Sequence, residues 1–158
     1  MHIQSSTPNF HTKDLRKGRH SEPAHTYLVT AITAQRKPIF ATFDLARLLI
    51  AELRAAETSG SIQSLAWVVM PDHMHWLITL QSGDLSSLMR GVKGRSAISI
   101  NRALAQQGSI WQKEFHDHAL RKEEDLHAIA RYIVANPLRA GLVERIGDYP
   151  LWDAVWLK

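Results

Sequence analysis

The chain has 158 residues, of which 45% are hydrophobic, so it can bury one full core and is expected to form a single domain. It contains no cysteine, which excludes disulfides, thiolate-bound metals and thiol nucleophiles, and restricts any metal site to histidine, carboxylate and amide ligands. The 19 Lys and Arg exceed the 15 Asp and Glu, and the net charge of +4 permits a nucleic-acid partner without requiring one.

The first half of the chain predicts three strands and a helix behind a polar arm. Residues 1–23 are polar and basic with few apolar side chains, which predicts a loose N-terminal arm. Residues 25–33 are rich in β-branched and aromatic side chains and predict a strand. A helix with Asp44 as its N-cap follows. Two further strands, 64–70 and 73–80, are so close in sequence that they should pair antiparallel.

The second half predicts a long helix over 85–106, a strand with aromatic character over 111–120 and a third helix over 123–135. In domain terms, the sequence predicts one domain over 24–145, preceded by the arm. A C-terminal tail, 146–158, is expected to pack on that domain.

The predicted order of elements is β-α-β-β-α-β-α. Its first six elements match the ferredoxin-like split β-α-β plan of the α+β class, an antiparallel sheet with helices on one face. This plan supports many unrelated functions, so the function has to be inferred from a site.

Several function classes lose their usual signatures. The chain has no GxxxxGK phosphate loop and no GxGxxG after a strand, which argues against nucleotide hydrolysis and dinucleotide redox chemistry. No apolar run approaches the roughly 20 residues of a membrane span, and the N-terminus lacks the apolar region of a signal peptide. We therefore expect a cytoplasmic protein without a membrane partner.

The most informative local feature is the histidine pair His73 and His75. On a strand, residues i and i+2 point to the same face, about 6.5–7 Å apart, so both imidazoles could bind one ion while Met74 points into the core. The alternative is a pair of surface histidines on an amphipathic strand. The metal interpretation is favoured because the pair lies in an otherwise apolar run, where unpaired polar rings would cost about 1–3 kcal/mol each.

A second feature is the pair Tyr132 and Asn136, four residues apart on the last predicted helix and therefore on one face of it. The phenol is a nucleophile once deprotonated, and the amide oxygen is a suitable third ligand for a hard divalent ion. The alternative is a packing tyrosine and an asparagine at a helix end next to Pro137. Combined with the histidine pair, the first interpretation describes a metal-assisted attack of a tyrosine on phosphorus.

These residues lie in motifs that resemble the HUH-type single-tyrosine transposases, and in particular the REP-associated tyrosine transposases. The resemblance covers about residues 16–152, and its most specific part is the string YIVANPLRAGLV downstream of PDHMHW. The matching stretches are HTYLVTAITAQRKPIF at 25–40, AWVVMPDHMHWLITL at 66–80, LMRGVKGRSAISINRAL at 88–104, WQKEFHDHALRKEEDL at 111–126 and ARYIVANPLRAGLVE at 130–144.

The resemblance implies roles for four residues. His73 and His75 would be the metal ligands of the HUH motif, Asn136 the third ligand and Tyr132 the nucleophile. The ion would be Mg²⁺ or Mn²⁺. The family cleaves single-stranded DNA at or near repetitive extragenic palindromes, and forms a covalent 5′-phosphotyrosine while leaving a free 3′-OH.

Basic residues outside this motif are candidate DNA contacts, although a solvated helix face or tail explains them equally simply. One group lies in the N-terminal arm, one on the second predicted helix, and one residue follows the YIVANPL string. The predicted DNA-binding residues are Arg16, Lys17, Arg19, Arg90, Lys93, Arg95, Arg102 and Arg139.

Three hypotheses follow from these residues. The first is a transposase that transfers strands of hairpin DNA through Tyr132, as a monomer or homodimer at the bacterial nucleoid. The second is a catalytically silent regulator of the same fold that binds DNA or RNA hairpins. The third is a metal-dependent hydrolase in which water, rather than Tyr132, attacks the phosphate.

Overall fold

The computed structural model describes residues 25–121 and 124–157, so the predicted arm and its Arg16, Lys17 and Arg19 lie outside the described residues. None of the helices in the described ranges is long and apolar enough to cross a membrane. The strands are β1 (Thr26–Ile32), β2 (Ile62–Met70), β3 (His73–Leu80), β4 (His116–Ala119) and β5 (Trp152–Ala154), and the α-helices are α1 (Phe43–Thr58), α2 (Leu85–Leu104), α3 (Leu126–Val134) and α4 (Asn136–Arg139).

The five strands form one sheet in the order β4-β1-β3-β2-β5, and every neighbouring pair is antiparallel. The predicted α+β class with a ferredoxin-like antiparallel sheet is confirmed. The hairpin of β2 and β3 turns at Pro71 and Asp72, as their separation in sequence predicts. Residues 146–158, predicted as a tail, include the edge strand β5, which pairs with β2.

The sheet has a different helix layer on each face. Met74 and Trp76 of β3 are buried in a core shared with α1 and α2, which lie on one face as the ferredoxin-like plan predicts. Leu77 directly follows Trp76 in the strand, so its side chain points to the opposite face, where it is buried against Ile129 and Ile133 of α3. Because side chains alternate along a strand, His73 and His75 belong to the face that α3 covers.

The ends of the first two helices test the capping predictions. Asp84 caps α2, since its carboxylate accepts a hydrogen bond of 2.8 Å from the backbone N–H of Ser87. The prediction of Asp44 as the cap of α1 is wrong. Thr42 is the N-cap there, without a side-chain cap bond, and Asp44 lies in the first helical turn, where a negative charge is favoured by the helix dipole.

The fourth strand is much shorter than the predicted 111–120. Its pairing with β1 covers His116–Ala119, and Trp111 forms only an isolated bridge to Thr33. Between them the chain leaves the sheet. There the Lys93 ammonium donates to three backbone carbonyls, that of Gln112 at 2.7 Å, that of Lys113 at 3.1 Å and that of Glu114 at 3.4 Å.

The last predicted helix, 123–135, is divided in two. Helix α3 starts after the cap Asp125, whose carboxylate accepts from the Ala128 N–H at 3.1 Å, and it ends at Val134. A short helix, α4, then begins at Asn136 with Pro137 in its first turn. Proline disrupts a helix interior but fits a first turn, which explains the break at this point.

Candidate active site

His73 lies at the start of β3 with its ring held by an acid. Its Nδ1 lies 2.7 Å from Oδ1 of Asp72, and Oδ2 of the same carboxylate accepts a hydrogen bond of 3.1 Å from Nη1 of Arg36. The carboxylate can only accept, so Nδ1 of His73 donates this hydrogen bond and Nε2 is the ring nitrogen left for a ligand. This is the arrangement in which an outer carboxylate orients a metal-binding histidine.

The carboxyl group of Asp72 is ionised because its partners outweigh its partial burial. Burial raises the pKa of Asp72, but the hydrogen bonds from His73 and Arg36 and the charges of both groups lower it, and the net pKa is below the ordinary value. Asp72 therefore remains a negatively charged acceptor for His73 at neutral pH.

His75 is supported from the neighbouring strand. Thr30 of β1 lies directly opposite His75, and its Oγ1 is 2.7 Å from Nδ1 of the ring. Removal from water lowers the pKa of His75, the charges of His73 and Arg139 lower it further, and the resulting pKa is about 3. His75 is consequently a neutral imidazole at pH 7, the form that binds metal ions.

The two imidazoles are close neighbours on one face. Their ring centroids are 5.0 Å apart, and the planes meet at 77°, nearly edge to face. With both Nδ1 atoms in hydrogen bonds, each ring has Nε2 left for a ligand. The sequence-based expectation that alternation brings this pair together agrees with the observed geometry.

Tyr132 and Asn136 meet at a third residue, Arg139. The guanidinium carbon of Arg139 lies 3.8 Å from the ring centroid of Tyr132, and Nη2 donates a hydrogen bond of 2.8 Å to Oδ1 of Asn136. The end of α3 shares a buried cluster with Val68 and Met70 of β2, which lie directly opposite His75 and His73, so the break between α3 and α4 lies on the face of the sheet that carries the histidine pair. The structure therefore places all four predicted motif residues on the same face of the sheet.

The donor set fits a divalent cation. No group of three or more His, Asp or Glu side chains in the described part of the chain is placed so that it could hold a metal ion, so a three-ligand site around the histidine pair needs another donor. The amide oxygen of Asn136 is such a donor, and its two lone pairs allow it to accept from Arg139 and to bind an ion.

The predicted basic residues of α2 lie in the other layer, on the face of the sheet opposite to the histidine pair. Arg90 and Arg102 are exposed, whereas Nε of Arg95 donates 2.8 Å to Glu52 of α1. The Lys93 ammonium supports the segment before β4, as described above. Arg139 alone among the predicted DNA contacts in the described residues lies at the site.

Three supporting residues were not predicted as part of the site: Thr30, Asp72 and Arg36. Asp72 adjoins His73 in sequence, which is a usable signal. Thr30 is a polar residue on the strand 25–33, and its partner depends on the register between β1 and β3. The position of the Arg36 side chain depends on the turn after β1, in which Gln35 has a φ of 56° and Arg36 a φ of 51°.

The comparisons with known proteins agree with this fold. Residues 22–136 match the family model described as Transposase IS200 like, which is most of the chain. The chain belongs to this family of transposases.

Individual relatives show which kind of transposase the chain resembles. The chain is 37% identical over 87 residues to the REP-associated tyrosine transposase of Escherichia coli (strain K12), covering 54% of this chain and 50% of that protein. It spans about half the length of the curated relatives it matches.

Among solved structures, a REP-associated tyrosine transposase bound to a REP hairpin matches with a TM-score of 0.66 and 29% identity, over 85% of this chain and 79% of that one. A structure from Deinococcus radiodurans matches in fold, with a TM-score of 0.53 and 23% identity over 75% and 95% of the two chains.

Proposed function

We propose that the protein is a divalent-metal-dependent endonuclease and strand transferase for single-stranded DNA, acting at repetitive extragenic palindromic hairpins through a covalent 5′-phosphotyrosine at Tyr132. The observation that carries the proposal is the position of Arg139, which contacts the ring of Tyr132 and the amide of Asn136 and whose charge acts on His75. A hairpin substrate is supported by the similar solved structure that is bound to a REP hairpin.

His73, His75 and Asn136 would hold the ion, Mg²⁺ or Mn²⁺. When bound, such an ion supplies Lewis-acid polarisation of a phosphoryl oxygen. Two residues hydrogen-bonded to the proposed ligands hold the rings in place: Asp72 orients His73, and Thr30 orients His75. The neutral state of His75 keeps its lone pair available at physiological pH.

The bond change is an exchange of one phosphodiester for another. The Tyr132 phenol gives up its proton as its oxygen forms a bond to phosphorus, the bond from phosphorus to the 3′-oxygen breaks, and that oxygen takes up a proton to become a free 3′-OH, so no proton is gained or lost overall. Arg139 provides a cation next to the nucleophile, where it can pair with the phosphate that becomes more negative during the attack. The energy of the phosphodiester bond is retained in the phosphotyrosine bond, so the reaction needs no nucleoside triphosphate.

The DNA contacts outside the histidine pair are proposed from the charge and exposure of basic side chains. Of the predicted contacts, Arg90 and Arg102 are exposed on α2 and can approach a hairpin that extends past the edge of the sheet. Arg16, Lys17 and Arg19 of the arm are proposed to contact the same DNA. Lys93 and Arg95 have intramolecular partners, so any DNA contact there competes with those bonds.

The test is incubation of the protein with a single-stranded hairpin oligonucleotide and Mn²⁺ or Mg²⁺, followed by denaturing electrophoresis. Strand transfer through a tyrosine predicts a protein–DNA adduct that survives SDS and does not form with EDTA. Cleavage without an adduct would establish the hydrolase, and binding without cleavage would establish the silent hairpin-binding regulator.

A further inference from the structure

We propose that Arg36 and His116 form a second phosphate-binding subsite beside the histidine pair, which holds the DNA phosphate adjacent to the one that is cleaved. This inference rests on the proposed function, because it places a second phosphate of the same strand.

His116 shares a row and a face with the histidine pair. Thr30 of β1 lies directly opposite His116 of β4 on one side and opposite His75 of β3 on the other. Directly opposite residues in antiparallel strands point to the same face. Two strand spacings separate the backbones of His116 and His75, which is about 10 Å. That separation is too large for one shared ion but suits a ligand that extends across the sheet.

Arg36 lies at the same edge of the site and is fixed by its turn. Gln35 and Arg36 both adopt left-handed φ values, 56° and 51°, a conformation that is unfavourable for non-glycine residues and often occurs at functional sites. Thr33 holds this turn, since its Oγ1 lies 2.8 Å from the carbonyl of Lys37 and 3.0 Å from that of Asp72.

The guanidinium of Arg36 has capacity for an anion. Its side chain is 58% exposed, and a single N–H donates to Asp72, whereas a guanidinium has five such donors. The contact with Asp72 aims the group at the site without using most of its donors. A phosphate oxygen is the ligand that matches a planar, exposed guanidinium.

His116 suits the same ligand as a neutral donor. Burial lowers its pKa, the charge of Asp117 raises it, the charge of Arg36 lowers it, and the net pKa lies below the ordinary value. Asp117 lies opposite Val29, whose side chain is in the core on the other face, so it does not compete for the anion on this face. Arg36 would supply charge and His116 one N–H.

The experiment is a binding measurement with uncleaved DNA. In a Tyr132→Phe background, affinities for a single-stranded hairpin oligonucleotide are compared with those for a series in which one phosphate at a time is replaced by a neutral methylphosphonate. Arg36→Ala and His116→Gln should each weaken binding of the unmodified DNA about tenfold. Each loss should shrink to under about twofold when one particular phosphate, adjacent to the cleaved one, is neutral.

Matched controls keep the result specific. His118 is on the same strand and face but lies opposite Leu28, with its Nε2 3.4 Å from Glu124, so His118→Gln should show no coupling to any phosphate. Arg47 is exposed on α1 in the other layer, so Arg47→Ala is the arginine control. Equal losses at every phosphate, coupling only to a distant phosphate, or no loss with His116→Gln would overturn the subsite.

Failure of the proposed function is distinguishable, because the coupling is measured without catalysis. Wild-type protein that forms no covalent adduct but whose binding couples Arg36 and His116 to one phosphate would refute strand transfer and support the subsite. An adduct without this coupling would do the opposite.

Discussion

The guanidinium of Arg139 stacks on the ring of Tyr132, with 3.8 Å between the guanidinium carbon and the ring centroid, and bonds at the same time to Asn136. A planar guanidinium can stack with its face while it donates from its edge, which an ammonium cannot do. One side chain thus fixes the spacing between the proposed nucleophile and the proposed third ligand.

Replacement of Arg139 should therefore slow the covalent step. We expect Arg139→Ala to reduce the initial rate of adduct formation about 100-fold, and Arg139→Lys to fall between this variant and the wild type. Arg145→Ala is the control, since the Arg145 side chain is 82% exposed and pairs with Asp148 at 3.6 Å. Wild-type rates for Arg139→Ala would refute its role at the site.

Thr30→Val tests the support of His75 without changing the shape of the strand. Loss of the hydroxyl removes the 2.7 Å contact with Nδ1, and we expect Mn²⁺ affinity, measured by calorimetric titration, to fall about 10-fold or more. Thr26→Val, on the same strand and face, breaks a 2.9 Å bond to Thr79 away from the site and should leave the affinity unchanged. Equal affinities of the two variants would contradict the proposed ligand support.

One part of the site can be predicted from the local sequence pattern, and the other part depends on how the strands pair. His73 and His75 share a face because strand alternation has a period of two, and sequence is sufficient for that. The Thr30 contact requires the register of β1 against β3, which is set by the whole sheet. Asn136 lies four residues after Tyr132, but the helix breaks between them, and Pro137 is the local signal for that break.

The fourth strand shows a different limit of the sequence. The aromatic residues Trp111 and Phe115 suggest strand throughout 111–120, yet both are buried core side chains at the ends of an irregular segment. The Gln112 N–H still donates to Ile32 of β1, but the carbonyls of residues 112–114 accept from the Lys93 ammonium instead of from a strand. Apolar content alone does not distinguish a strand from a buried loop whose carbonyls have another donor.

Salt dependence separates Arg90 from Lys93, two of the four basic residues of α2 that the sequence predicts alike as DNA contacts. Arg90→Ala should reduce the slope of log affinity for hairpin DNA against log salt concentration by about one, because one phosphate contact is lost. Lys93→Met should instead lower the free energy of unfolding by about 1–3 kcal/mol, since three carbonyls lose their donor. An unchanged slope for Arg90→Ala would remove it from the DNA surface.

The cap of α2 gives a stability prediction that is independent of the site. Asp84→Ala removes the bond to the Ser87 N–H and should lower the free energy of unfolding by about 1 kcal/mol in urea denaturation. Thr42→Ala, at the N-cap of α1 that has no side-chain cap bond, should change it much less. Similar losses for both variants would show that the Asp84 bond does not account for the effect.

The central claim is that Tyr132 becomes covalently joined to DNA. The most direct measurement compares SDS-resistant adducts with single-stranded hairpin DNA and Mn²⁺ for Tyr132→Phe and Tyr149→Phe. Tyr149 donates its hydroxyl to the carbonyl of Val69 at 2.6 Å and serves as the tyrosine control. We predict no adduct with Tyr132→Phe and an adduct with folded Tyr149→Phe. An adduct that persists in Tyr132→Phe would contradict the account.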